Sequence, residues 1–211
     1  MKLQLALDDI TLDAAIELLE KVSDNVDIIE IGTPFLLEYG MEAVRTIKRH
    51  FPNKEILCDA KIMDGGKIES NSAFCAGSDY VTVLGVTDDA TINAVVQVAK
   101  ARQKLVVVDL LCVENFEKRI PALEALGVDI VAVHVGADQQ LSGRTPLKDL
   151  IKIKSITNKA KVAVAGGISL ATLTDYIAQK PDIIIVGSAI NNASNPAEEA
   201  KAIYNKIQEA Q

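Results

Sequence analysis

Short apolar runs recur along the chain, and segments with helical spacing lie between them. The runs are rich in Val and Ile, and each is continuous rather than alternating, which is typical of strands buried on both faces. Such runs begin near Leu3, Asp27, Glu55, Asp79, Leu105, Asp129, Lys161 and Asp182. The intervening helical segments include Leu12 to Val22, Met41 to His50, Thr91 to Ala101 and Ala197 to Ile207. This alternation predicts parallel strands joined by right-handed crossovers.

Residues typical of helix ends support these boundaries. Thr11 is a predicted N-cap before the first helical segment. Ser169 and Asn195-Pro196 predict two further helix starts, with Pro196 at the first helical position. Three glycines lie at element boundaries where the backbone must turn, namely Gly40, Gly77 and Gly127.

The number of strand–helix units predicts the fold. Eight units in 211 residues fit a single α/β domain, a (β/α)₈ TIM barrel over residues 1–211 that carries catalysis. An open doubly wound sheet is the alternative. It is less favoured because no Gly-x-Gly-x-x-Gly turn follows the first strand.

Composition narrows the range of partners and compartments. The net charge is −7, and the sequence has no Lys/Arg cluster of the kind that binds along a phosphate backbone. We therefore expect no nucleic-acid partner. Three cysteines, Cys58, Cys75 and Cys112, are far apart and odd in number, which argues against disulfides or a zinc site. The first apolar run is too short for a signal peptide, and no run approaches a membrane span. We therefore expect a cytoplasmic protein with no membrane partner.

Polar side chains stand where several predicted strands end, which is where barrel enzymes place their active sites. They are Asp8, Glu30, Asp59, Lys61, Asp64, Asp109 and His134. Buried carboxylates repel one another and are costly without partners. Lys61 can neutralise part of this charge, and a divalent cation such as Mg²⁺ suits the remaining oxygen ligands.

Each of these residues has a simpler explanation when it is taken alone. Asp8 could be a helix cap, and His134 could satisfy a backbone group. Glu30, Asp59, Lys61 and His134 together are hard to explain by capping, so a functional role is favoured for the set. Aspartates that begin strands lie at the opposite end of the barrel, where we expect turn chemistry. They are Asp27, Asp79, Asp129 and Asp182.

Glycine-bearing turns follow the last two predicted strands. One contains Gly166 and Gly167, and the other contains Gly187 and Ser188. Loops at these places in barrels commonly bind phosphate through backbone N–H groups, although tight packing would also require glycine. The pair of turns predicts a small phosphorylated substrate.

The segment Asp59-Ala60-Lys61-Ile62-Met63-Asp64 resembles the Asp-x-Lys-x-x-Asp signature of the orotidine 5′-monophosphate decarboxylase suprafamily. Residues 26–34, 81–85 and 134–140 are similar to one branch, the 3-hexulose-6-phosphate synthases. The neighbouring branch, the 3-keto-L-gulonate-6-phosphate decarboxylases, carries arginine after the strand-six histidine and in the strand-eight turn. It also carries Glu at the position of Asp109. Because this chain has neither arginine, the resemblance favours the synthase branch and leaves the decarboxylase as the alternative.

The resemblance implies an aldolase of the ribulose monophosphate pathway, which condenses formaldehyde with D-ribulose 5-phosphate to give D-arabino-3-hexulose 6-phosphate. It implies that Glu30 and Asp59 bind Mg²⁺ and that His134 removes a proton from C1. Mg²⁺ and Lys61 then stabilise the resulting 1,2-enediolate. The substrate-binding residues that it implies are Asp8 and Asp109 for the sugar hydroxyls, and Gly166, Gly167, Gly187 and Ser188 for the phosphate.

The resemblance also implies a homodimer with shared active sites, in which Asp64 reaches into the neighbouring subunit's site. Two more distant alternatives remain open at this point. A ribulose-phosphate epimerase would need two opposed carboxylates and often more metal-binding histidines. A phosphate-binding barrel without catalysis would have no need for the Asp59, Lys61 and Asp64 set.

Overall fold

The computed structural model describes residues 1–210 and contains one closed barrel of eight parallel strands. The last residue of the predicted domain, residue 211, lies outside the described residues. The strands are β1 (Lys2–Leu7), β2 (Ile28–Ile31), β3 (Glu55–Ile62), β4 (Tyr80–Leu84), β5 (Leu105–Asp109), β6 (Ile130–His134), β7 (Lys161–Ala165) and β8 (Ile183–Val186). Each strand pairs with its neighbours in sequence, and β8 pairs with β1. The predicted (β/α)₈ TIM barrel is confirmed.

Helices connect the strands on the outside. They are α1 (Leu12–Val22), α2 (Thr33–Tyr39), α3 (Met41–His50), α4 (Gly66–Ala76), α5 (Asp89–Arg102), α6 (Phe116–Leu126), α7 (Ala137–Gln140), α8 (Leu147–Ile156), α9 (Leu173–Ile177), α10 (Ser188–Asn191) and α11 (Pro196–Gln208). A 3₁₀ turn, Ser23–Asn25, follows α1. Across residues 1–210 no helix combines the length and apolarity needed to cross a membrane.

Most predicted helix ends are confirmed by their capping contacts. Thr11 accepts the N–H of Ala14 at 3.4 Å, and Asn195 caps α11 with Pro196 at its first position. The predicted start at Ser169 is wrong, because α9 begins only at Leu173. The carbonyl of Ser169 accepts the N–H groups of Thr172 at 3.0 Å and Leu173 at 2.9 Å, so Ser169 lies in a turn that leads into the helix and Thr172 is the N-cap.

The apolar core has two layers. A large outer cluster lies between the barrel and its helices, and a small inner cluster fills the barrel. The inner cluster consists of Ile28, Leu57, Tyr80, Val107, Ile130, Ala132, Ala163 and Ile183. Side chains two residues apart on a strand share a face. The residues two positions after members of the inner cluster therefore form a polar layer above it, the polar crown. They include Glu30, Asp59, Thr82, Asp109 and His134.

Aspartates at the opposite end of the barrel make one repeated contact. Each precedes an even-numbered strand and accepts a backbone N–H from the odd-numbered strand before it. The four contacts are Leu3 to Asp27 at 2.8 Å, Ile56 to Asp79 at 3.0 Å, Val106 to Asp129 at 2.9 Å and Val162 to Asp182 at 2.8 Å. Their predicted place before the strands is confirmed. Their contacts join neighbouring strands, so the expectation of turn chemistry is wrong.

Candidate active site

The centre of the polar crown is an ion pair between two residues of β3. Lys61 Nζ donates to Asp59 Oδ2 and also lies 3.2 Å from the hydroxyl of Thr33. The same Thr33 hydroxyl donates to Asp59 Oδ2 at 2.8 Å. Burial alone would lower the pKa of Lys61, but the charges of Asp59 and Asp109 raise it above its ordinary value. Lys61 is therefore held as a cation against the carboxylates.

A bulge in β3 shapes this ion pair. The strand pairs Cys58 with Val81 and then Ile62 with Val83, so three residues of β3 lie opposite the single residue Thr82. Lys61 has a left-handed backbone with φ of 45°, which costs a residue with a side chain roughly 1–2 kcal/mol. Strain of this kind is typical of functional sites and requires support from neighbouring groups.

Glu30 is the most strongly perturbed acid of the crown. Its Oε2 accepts from Gln4 Nε2 at 2.5 Å, deep inside the barrel. Burial and the adjacent charge of Asp59 raise the pKa of Glu30 to about 8. The other polar atom of Gln4, Oε1, is buried without a hydrogen-bond partner. Negative charge and acceptor atoms are thus in excess at this point.

The donor chemistry around Glu30 and Asp59 fits a hard divalent cation. Burial and the charge of Asp59 make the ionisation of Glu30 costly, and a bound cation would remove that cost. Within the described range, no group of three or more His, Cys, Asp or Glu side chains is placed to hold a metal. Two protein ligands are enough for Mg²⁺, because it is commonly bound by one or two carboxylates and completes its coordination shell with water and substrate.

A second linked pair lies beside Lys61. His134 Nδ1 is 2.8 Å from Asp109 Oδ2, and Lys61 Nζ is 3.8 Å from the same oxygen. Asp109 Oδ1 accepts the Leu111 N–H at 2.8 Å. Burial would raise the pKa of Asp109, but the His134 hydrogen bond and the Lys61 charge lower it overall. An ionised Asp109 can only accept, so Nδ1 of His134 donates to it, and in the neutral imidazole Nε2 has the lone pair.

Asp8 and Asp64 lie at the exposed edge of the site. Desolvation by surrounding atoms and the charge of Asp59 raise the pKa of Asp8. A side chain on Gly32 would place its Cβ 2.1 Å from Asp8 Oδ1, so glycine is required for Asp8 to approach β2. Asp64 accepts the Gly65 N–H at 2.7 Å in the loop after β3. Asp64, which the resemblance places in the neighbouring subunit's site, therefore lies in an exposed turn of its own chain.

The two glycine-bearing turns differ in their backbone. Gly166 and Gly167 have φ of 122° and 66°, a region that favours glycine. A Cβ on Gly166 would also lie 2.7 Å from the Val135 carbonyl oxygen, so packing contributes to this requirement. Gly187 precedes Ser188, the first residue of the short helix α10. Phosphate binding by these turns stays a prediction.

A cavity of about 530 Å³ opens beside His134. The loop after β5 contributes Leu110 and Cys112 to its lining, and the segments after β6 contribute Gln139 and Arg144. His134 therefore lies between the polar crown and open space that could admit a small molecule.

Three residues that bond Glu30, Asp59 or Lys61 were not among the predicted site residues, namely Gln4, Thr33 and Thr82. Gln4 and Thr82 are polar residues inside otherwise apolar strands, and both are buried. An unexplained polar residue at an inward position is the signal that would have identified them.

Comparison with known proteins gives consistent matches over the whole barrel. Residues 1–203 match the Orotidine 5'-phosphate decarboxylase / HUMPS family. A 3-hexulose-6-phosphate synthase from Bacillus subtilis (strain 168) is 46% identical over 207 residues, covering 98% of this chain and 99% of that protein. The crystal structure of 3-hexulose-6-phosphate synthase from Salmonella typhimurium has a TM-score of 0.99 at 52% identity and covers 100% of both chains.

Similarity extends at lower identity to another activity. The crystal structure of 3-keto-L-gulonate-6-phosphate decarboxylase from Vibrio cholerae O1 biovar El Tor has a TM-score of 0.87 at 28% identity, covering 100% of this chain and 98% of that chain. The matches confirm the resemblance drawn from Asp59–Asp64 and its companion segments. They also confirm the expectation of an enzyme.

Proposed function

Because the chain belongs to the Orotidine 5'-phosphate decarboxylase / HUMPS family, we propose that it condenses formaldehyde with D-ribulose 5-phosphate. The product is D-arabino-3-hexulose 6-phosphate, and the reaction class is that of an aldehyde-lyase. The observation that carries the proposal is the chain of contacts from Asp59 through Lys61 to Asp109 and His134. It joins an acid/base group to a fixed cation and to two buried carboxylates, which is the set that an enediolate reaction requires.

Glu30 and Asp59 are the residues that would hold Mg²⁺. When bound there, the metal supplies Lewis-acid stabilisation for negative charge that develops on the substrate oxygens. The excess of negative charge around Glu30 supports this assignment.

His134 acts as the base that removes the C1 proton of ribulose 5-phosphate. Its Nε2 has the lone pair because Nδ1 donates to Asp109. Lys61 stabilises the enediolate electrostatically, and its pairing with Asp59 keeps it charged for that purpose. C1 of the enediolate then adds to the carbon of formaldehyde. The protonated His134 returns its proton to the alkoxide oxygen so formed.

Substrate positioning falls to the rim of the barrel. Asp8 is exposed at the mouth and can accept from a sugar hydroxyl. Asp109 orients His134 through Oδ2, and its remaining lone pairs can accept from a sugar hydroxyl, the role predicted for it. The turns at Gly166–Gly167 and Gly187–Ser188 would donate backbone N–H groups to the substrate phosphate.

We propose further that two copies form a homodimer, with Asp64 completing the neighbouring site. Asp64 is exposed in the single chain, and so are the nearby apolar side chains of Met63 and Ile68, at 53% and 78%. Exposed apolar groups beside an exposed acid suit burial against a second copy.

The test is loss of formaldehyde in the presence of ribulose 5-phosphate, measured with Mg²⁺ and with a chelator. We expect metal-dependent consumption and formation of a hexulose phosphate. Release of CO₂ from 3-keto-L-gulonate 6-phosphate is measured in parallel, because the decarboxylase is the rival activity. Rapid CO₂ release without formaldehyde consumption would replace the proposed reaction with that rival.

A further inference from the structure

We propose that Thr82 is a positioning residue that holds the β3 bulge and thereby sets the geometry of the Asp59–Lys61 pair. Its hydroxyl donates to Asp59 Oδ1 at 2.7 Å and accepts the backbone N–H of Lys61 at 2.8 Å. One hydroxyl therefore bonds the side chain of one site residue and the main chain of the other. The inference rests on the proposed function of this site.

Thr82 supplies a hydrogen-bond acceptor that the strand pairing does not provide at the bulge. A regular parallel ladder would pair the Lys61 N–H with a carbonyl of the neighbouring strand, but the bulge moves Lys61 out of register. A buried N–H without an acceptor costs roughly 1–3 kcal/mol. The Thr82 hydroxyl supplies that acceptor at the residue whose backbone is left-handed.

The Thr82 hydroxyl also fixes the orientation of the Asp59 carboxylate. Asp59 Oδ2 is engaged by Lys61 and Thr33, and the Thr82 bond to Oδ1 fixes the rotation of the carboxylate. Thr82 is buried and sits two residues after Tyr80 of the inner cluster, so it faces the crown. The hydroxyl makes both bonds from a buried position, and neither Val nor Ala has a group that could replace it.

The first experiment compares Thr82→Val with Thr82→Ser. Val has the same shape without the hydroxyl, and Ser retains both hydrogen bonds. We expect Thr82→Val to lose roughly 10- to 100-fold in kcat and in Mg²⁺ affinity by titration calorimetry, as is usual for groups that orient metal ligands. The KM for ribulose 5-phosphate should change little, since the phosphate turns are untouched. Thr82→Ser should recover most of both losses.

A second measurement does not depend on turnover. Amide hydrogen exchange at Lys61, followed by NMR, reports the bond from its N–H to the Thr82 hydroxyl. We expect Thr82→Val to lose protection at Lys61 and Thr82→Ser to retain it. If Thr82→Val fails to fold, Thr82→Ala removes the same hydroxyl and leaves room for water, so the comparison stands.

Thr157→Val is the matched control, because its hydroxyl bonds the Ile153 carbonyl at 2.8 Å at the end of α8. We expect it to leave kcat, Mg²⁺ affinity and Lys61 exchange unchanged. Wild-type values for all three, or equal losses in both valine variants, would overturn the role of Thr82. Absence of wild-type formaldehyde consumption would instead count against the proposed reaction, while Lys61 exchange would still test the bulge.

Discussion

The two ends of the barrel use acidic residues in opposite ways. At the end where strands begin, Asp27, Asp79, Asp129 and Asp182 each accept a backbone N–H from a neighbouring strand. At the end where strands finish, burial and the charge of Asp59 raise the pKa of Glu30 to about 8. The first arrangement satisfies its charges locally, whereas the second leaves charge that a cation or substrate can use.

The pKa values of Asp79 and Glu30 are shifted in opposite directions. Burial alone would raise the pKa of Asp79, but Lys104, the Ile56 N–H and Lys48 together lower it. For Glu30, burial and the like charges of Asp59 and Asp8 raise the pKa, and they outweigh the Gln4 hydrogen bond and the Lys61 charge that lower it. Ionised Asp79 therefore stabilises the fold, whereas ionised Glu30 is maintained at its expense.

The largest expected difference comes from removing a lysine at each end. Lys61→Ala removes the cation that would stabilise the enediolate, so we expect kcat to fall roughly 10²- to 10³-fold with the barrel still folded. Lys48→Ala removes the ion pair with Asp79 at 3.0 Å and should lower only the unfolding temperature. Steady-state kinetics and circular dichroism melts on both variants make the comparison. Near-normal turnover of Lys61→Ala would contradict its catalytic role.

The next effect concerns the His134 tautomer. In Asp109→Asn the amide oxygen is needed by the Leu111 N–H, so the amide nitrogen faces His134. His134 Nδ1 must then accept and Nε2 carries the proton, which removes the base. We expect kcat to fall about 10²-fold.

A double-mutant cycle identifies what Asp109 does. If Asp109 acts through His134, the pair Asp109→Asn and His134→Ala should lose no more activity than His134→Ala alone. Losses that add would instead assign Asp109 to direct contact with a sugar hydroxyl, the role that the family resemblance implied.

The sequence predicts the strands and the identity of most site residues, but not the contacts that these residues make. The starting points of all eight strands are predicted within two residues, because short continuous runs of Val and Ile are typical of parallel strands buried on both faces. Glu30, Asp59, Asp109 and His134 are predicted as site residues from their place at strand ends. The inner cluster explains why they converge, since each lies two residues after one of its members.

The contacts of the crown are less accessible from sequence. The β3 bulge depends on how the strand pairs with β4, and nothing in Asp59-Ala60-Lys61 alone signals that Thr82 must span it. The inward position of Thr82 in an apolar strand marks it as unusual, but its high strand propensity gives no hint of the two partners that it bonds. The failed helix start at Ser169 has a similar origin, because a serine can begin a turn as readily as a helix.

A third difference between the ends concerns pH. The folded pKa of Glu30, about 8, exceeds its ordinary value of 4.5, so the metal-free protein gains a proton on folding between these limits. Its stability should therefore fall as pH rises from about 4.5 to about 8. Glu30→Gln should flatten this slope in urea unfolding with chelator, and should weaken Mg²⁺ binding roughly 10- to 100-fold. The same slope in both proteins would assign the pH effect to another group.

The smallest effect on activity is expected at the opposite end. Asp129→Ala leaves the Val106 N–H without its acceptor, which should cost roughly 1–3 kcal/mol in the free energy of unfolding. For a chain of this size each kcal/mol lowers Tm by roughly 2–4 °C. Asp129→Asn keeps an acceptor oxygen and should recover most of the loss. Because this contact lies across the barrel from Lys61, kcat should not change in either variant. A fall in kcat for Asp129→Ala, measured well below its Tm, would show that the two ends are coupled and would end the separation drawn between them.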